Sequence, residues 1–110
     1  MKESIIQQQI CEYLSIRGIF FFSIPNEHYN ISHRQLMTLK KMGLVSGMPD
    51  LCILHGGRVY FLEVKNETGT LSDNQKNIHA ILSDKGYPVS IVRSVENVES
   101  ALRLWGILKS

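Results

Sequence analysis

This chain is poor in cysteine. The two present, Cys11 and Cys52, lie far apart and form no C-x-x-C pair. That argues against a disulfide framework or a zinc ribbon and fits a reducing intracellular compartment. Long apolar runs are missing as well: none approaches a membrane span, and residues 1 to 16 are too polar for the core of a signal peptide. A cytoplasmic protein without membrane contact is therefore expected. A surplus of one charge is also lacking. Twelve Lys and Arg against ten Asp and Glu leave a formal +2, which permits a nucleic-acid partner without arguing for one, because phosphate binding depends on a local patch. The four histidines, His28, His33, His55 and His79, show no ligand spacing and read mostly as surface or loop residues.

Internal repeats, low-complexity segments and linkers are absent too. At 110 residues with 44% apolar and 20% charged content, the chain reads as one compact domain over 1–110 whose core needs no staple. Ile6, Ile10, Tyr13 and Leu14 recur at helical spacing, so a helix is expected over 3–17 with Gly18 as its stop. "IFFFSIP" is a β-branched and aromatic run closed by Pro25, a strand over 19–24, and "NEHYN" is a loop. Ser32 with Gln35 has capping-box spacing for a short helix ending at Gly43. Ser72 with Gln75 repeats that spacing before a helix over 73–85 that Gly86 stops. "VSIV" after Pro88 is a strand, and Ser94 caps a last helix with Val95, Val98, Ala101, Leu102 and Trp105 on one stripe. Helix, strand, helix, strand, strand, helix, strand, helix makes a mixed α/β layer structure with helices on both sides of a central sheet.

The two central strands carry the informative detail. In "GMPDLCILHGGRVYFLEVK", residues 47–65, Gly56-Gly57 between apolar runs is a two-residue hairpin signal, since both positions tolerate positive φ. Centring the turn there sets His55 opposite Arg58 and, counting back, Asp50 opposite Glu63. Directly opposed side chains share a face with Cβ atoms about 4.5–5.5 Å apart, and Lys65 lies on that face too. Cys52, Leu54, Val59 and Phe61 line one face and Leu51, Ile53, Tyr60, Leu62 and Val64 the other, so cover on both sides is expected. Opposed acids destabilise a sheet unless something sits between them. A divalent cation is one solution, for carboxylate oxygens suit magnesium and a nearby ammonium can stabilise developing phosphoryl charge. A cross-strand network in which Lys65 bridges two exposed acids is another.

Pro49-Asp50, twelve intervening residues and Glu63-Val64-Lys65 resemble the PD-(D/E)XK nuclease signature. More narrowly, "GLVSGMPDLCIL" and "VYFLEVKNETGTLSDNQK" are similar to the VRR-NUC (virus-type replication-repair nuclease) family: a glycine before the proline-aspartate pair, an E-V-K strand end and an L-S-x-x-Q helix start. The likeness runs from the first helix to "GYPVSIVRS". It implies a PD-(D/E)XK restriction-endonuclease-like α/β fold, a central mixed β-sheet flanked by α-helices. It also implies that Asp50 and Glu63 ligate metal, that the Val64 backbone carbonyl is a further ligand, and that Lys65 positions or activates the attacking water. Gln75 matches the glutamine that helps shape the family's active site, and it equally suits a plain capping-box residue. The family has a metal-facing glutamate on its first helix, for which Glu3 and Glu12 are the candidates. Nine residues apart, they differ by about 180° around the axis. Glu3, at the edge of the apolar stripe, is the better choice, though an acid in a first turn also suits the helix dipole.

The function so implied is a magnesium-dependent endodeoxyribonuclease, with manganese able to substitute. Stand-alone members of the family resemble homodimeric enzymes that resolve four-way (Holliday) junctions, and an isologous dimer would set one centre on each of two symmetric strands. The outer side of "VESALRLWGILK" and the loop over 28–34 are candidate interfaces. Arg34, Lys40, Lys41, Lys76 and Arg93 are candidates for phosphate contact, which reads shape rather than bases. The alternatives are a flap- or duplex-cutting nuclease and, in a different class, an inactive module that only binds branched DNA.

Overall fold

The computed structural model describes residues 1–25 and 31–109. The "NEHYN" segment and part of the 28–34 interface candidate thus lie outside the described residues. The described elements run α1 (Glu3–Ile16), β1 (Phe21–Ser23), α2 (His33–Lys41), β2 (Leu51–His55), β3 (Arg58–Val64), α3 (Asp73–Asp84), β4 (Val89–Val92) and α4 (Val95–Leu104). This is the order read from the sequence, and the same local signals produce it. Ser32 with Gln35 and Ser72 with Gln75 form complete capping boxes, pairing helix-end N–H groups that the helix itself leaves unpaired. The Ser94 side chain accepts from the Asn97 N–H and starts α4.

One boundary differs. The strand expected over 19–24 is confined to Phe21–Ser23. The chain leaves α1 through a Schellman motif, in which the Ile19 N–H bonds the Leu14 carbonyl and the Gly18 N–H bonds that of Ser15. Ile19 is thereby turned into the core as a helix-end contact and not extended along the sheet.

The sheet order is β1-β2-β3-β4, with the first two pairings antiparallel and the last parallel. Gly56 and Gly57 have φ of 57° and 74°, the left-handed pair a tight I′ turn requires. The resulting register pairs His55 with Arg58 and Leu51 with Leu62, as the turn predicts. Leu51, Ile53, Tyr60, Leu62, Val64 and Val92 pack under Ile6, Ile10 and Leu14 of α1 and Val98 and Leu102 of α4. Trp105 stacks on Tyr60 with ring centroids 4.8 Å apart. Each fully buried aliphatic side chain there contributes about 1.5–3 kcal/mol.

The opposite face is covered less completely than expected. Cys52 and Phe61 are buried there, but Phe22, Leu54 and Ile91 are 41–44% exposed. Helix α3 serves this side. It connects β3 to β4, contacts β4 and buries none of its own residues. The outer strands on this face therefore keep apolar surface in contact with solvent.

Candidate active site

Asp50 stands one step before β2, just past the Leu51–Leu62 pair, so it meets Glu63 where the hairpin ends. Its backbone carbonyl accepts from the Ile24 N–H at 2.8 Å. Its Oδ2 accepts from the Val64 N–H at 2.7 Å. The side chain thus prolongs the hydrogen-bond ladder after regular pairing has stopped, and one carboxylate oxygen is anchored by the neighbouring strand. Gly47 sets the approach. With φ of 92°, its missing Cβ would stand 2.6 Å from the backbone carbonyl of Asn74, so only glycine lets the "GMPD" loop lie against the first turn of α3.

Glu63 is 1% exposed. Burial first, then its hydrogen bond to Asp50 and the charge of Asp50, push its carboxyl up to about 9; Lys65 opposes this only in part, and Glu3 adds to it. Two α3 side chains hold it. Gln75 Nε2 donates to Glu63 Oε2 at 3.4 Å, while Gln75 Oε1 accepts from the Ser72 N–H at 2.9 Å. One amide therefore closes the capping box and also reaches the acid. His79 Nε2 lies 3.0 Å from Glu63 Oε1. Burial, and then the charge of Lys65, hold the imidazole below its usual value against the pull of Asp50. Burial thus disfavours the charged form of both partners in this contact.

Lys65 is 8% exposed and forms no ion pair among the described residues. A network of exposed acids bridged by this lysine is therefore not what the fold builds, since Glu63 is buried and the ammonium bridges no acid within ion-pair distance among the described residues. Glu3, Ser4 and Gln7 of α1 join Asp50, Glu63, Lys65 and Gln75 around a cleft of about 280 Å³. Glu12 is exposed and does not line it. A Cβ at Gly69 would come within 2.9 Å of Glu3 Oε2 and 3.3 Å of Lys65 Cδ, so the loop after β3 closes directly over both charged side chains. Arg93 fastens that loop by donating from Nη1 to the carbonyls of Asn66 at 2.6 Å and Gly69 at 2.8 Å. Arg93 is exposed, as are Arg34, Lys40, Lys41 and Lys76, but its Nη1 is engaged in holding the loop. Val64 turns its side chain into the opposite core.

His79, Ser4 and Gln7 escaped the sequence reading. The sequence places the histidines mostly on the surface or in loops, whereas His79 is half-buried and bonded to Glu63. The available signal was its spacing: Gln75 and His79 are i, i+4 and share one helix face. Among the described residues, no group of three or more His, Cys, Asp or Glu side chains is set to hold an ion. The oxygen donors at hand are the Asp50 and Glu63 carboxylates, and magnesium needs only one or two protein carboxylates because it retains several waters. A buried carboxyl held protonated beside a second acid is also the environment a cation would relieve. The residues present fit a hard divalent ion.

A four-stranded mixed sheet between helices, with two acids and a lysine converging where its hairpin ends, has the architecture of the PD-(D/E)XK nucleases. The VRR-NUC domain model matches residues 2–96, and the chain belongs to that family, nucleases of the PD-(D/E)XK type. A solved structure of a VRR_NUC domain protein has the same fold, with a TM-score of 0.72 and 22% identity over 94% of this chain and 86% of that one. Among curated proteins, none matches the chain. Among the described residues, no helix is long and apolar enough to cross a membrane.

Proposed function

We propose that the protein, as one nuclease domain over 1–110, is a divalent-metal-dependent, structure-specific DNA endonuclease. The observation that carries this is the buried Glu63 beside Asp50, with the Lys65 ammonium, which forms no ion pair among the described residues, in the same cleft. Two acids so placed are costly to a fold that makes no use of them. Asp50, Glu63 and the backbone carbonyl of Val64 would hold the ion, magnesium or manganese, with Glu3 facing it from α1. A cation bound there supplies polarisation of the scissile phosphate and lowers the pKa of a water. Lys65 orients that water and stabilises negative charge building on the phosphoryl oxygens. Gln75 steadies Glu63. In the reaction the attacking water gives up a proton to solvent as its oxygen bonds to phosphorus, the P–O bond to one sugar oxygen breaks, and that oxygen leaves with a proton taken from solvent.

Four-way junctions are the proposed substrate and a homodimer the proposed working form, in a cytoplasmic setting. Phe22 and Leu54, partly exposed on one sheet face, supply apolar surface for a second copy, and a two-fold pair would present two clefts to the symmetric strands of a junction. Incubating labelled junctions, flaps and linear duplex with the protein and magnesium or manganese tests the reading. Paired nicks across the junction are expected. Cutting of flaps or duplex alone would redirect the substrate, and binding of branched DNA with no nick in any structure would contradict the activity. Sedimentation that finds only monomers at working concentration would remove the dimer.

A further inference from the structure

We propose that His79 is a positioning residue for the metal site: it holds Glu63 Oε1 from outside the cleft, so that Oε2 faces the place where a cation would bind. The inference rests on the metal-nuclease reading above. A buried glutamate with three side-chain torsions has several ways to point, and each carboxylate oxygen needs a partner. Gln75 takes the Oε2 side, at 3.4 Å; that contact is long, and the far end of the amide is already committed to the Ser72 N–H. The shorter contact, at 3.0 Å, is His79 on Oε1. Gln75 lines the cleft and His79 does not. The imidazole therefore holds Oε1 and leaves Oε2, on the side of the cleft-lining Gln75, to the ligand.

His79 can do this because its own placement is fixed. It lies one turn beyond Gln75 on α3, whose start is locked by the capping box and by the close packing of Gly47 on Asn74. The ring has only two torsions and is half-buried. Read with the proton on Nε2, it donates to Glu63. Partners of this kind behind a ligating carboxylate typically govern metal affinity by about 10–100-fold.

The test is calorimetric titration of Mn²⁺ alone, without DNA, into wild type, His79→Ala and His79→Gln, alongside melting curves without metal. Glutamine can present an N–H to Oε1 where alanine cannot. The expected result is a Kd weakened about 10–100-fold in His79→Ala and largely restored in His79→Gln. Cleavage by His79→Ala should then recover toward wild type at saturating Mn²⁺, since affinity and not chemistry was lost. Unchanged affinity in His79→Ala overturns the proposal alone, as does loss in both variants to the same degree with the fold intact. Wild type that binds no Mn²⁺ overturns the metal reading and this proposal with it. Should His79→Ala fail to fold, His79→Gln decides: affinity near that of wild type supports the role, and affinity lost by more than tenfold contradicts it.

Discussion

Leu62 and Glu63 are consecutive on β3, equally buried at 0% and 1% exposure, and they face opposite sides of one sheet. On the Leu62 side, two helices close over a continuous apolar core. On the Glu63 side, a single helix brings Gln75 and His79 to an acid and leaves outer strands open. Burial stabilises the first residue and penalises the second, whose carboxyl responds by keeping its proton to about pH 9. One face holds the fold together. The other stores an electrostatic cost.

Breaking this contrast should have its largest effect on the polar side. Asp50→Asn, Glu63→Gln and Lys65→Ala are each expected to lower single-turnover cleavage of labelled DNA by about 10²–10³-fold or more, with circular dichroism unchanged. The apolar side should behave oppositely. Leu62→Ala should cost about 2–5 kcal/mol in urea unfolding, while cleavage per folded molecule stays near that of wild type. Equal loss of cleavage in both would mean that the two faces do not separate stability from chemistry.

Acid-base behaviour sharpens the same comparison. The folded-state value of Glu63 lies above its ordinary 4.5, so its contribution to stability is full below that pH and is lost as pH rises toward 9. Metal-free protein should accordingly melt at progressively lower temperature across that interval, and Glu63→Gln should flatten the decline. A wild-type profile no steeper than that of the glutamine variant would contradict the burial of this acid.

Smaller effects are expected at the edges. Ser72→Ala removes half of the capping box that also aims Gln75, and should cost about 1 kcal/mol in chemical denaturation. Leu54→Ser, on the open part of the Glu63 face, should change monomer stability by no more than about 0.5 kcal/mol. Its visible consequence should be a shift toward monomer in sedimentation.

Much of this was legible in the sequence because it follows from local rules. Two capping boxes, a Gly-Gly turn and period-two alternation are short-range features, and they settle the order of elements and the hairpin register that brings Asp50 to Glu63. What stayed hidden depends on contacts between distant segments. The spacing of His79 from its nearest histidine or cysteine said nothing about Glu63, which lies on a different element and is reached only once α3 packs back over β3. Arg93 reads in the sequence as a candidate for phosphate contact, and the two carbonyls it bonds lie 24 and 27 residues away. Uneven cover of the sheet was illegible for a related reason: both faces alternate apolar residues equally, and only the helix paths decide which face is closed.

The central claim is that Asp50 and Glu63 form a site for a divalent cation that must displace the Glu63 proton. Melting temperatures of wild type and Glu63→Gln, measured with and without millimolar Mg²⁺ at pH 6 and pH 8, test it directly. Wild type should be stabilised by the ion, more at pH 8 than at pH 6, and Glu63→Gln should show little response at either pH. Equal stabilisation of both proteins, or none of either, would contradict it.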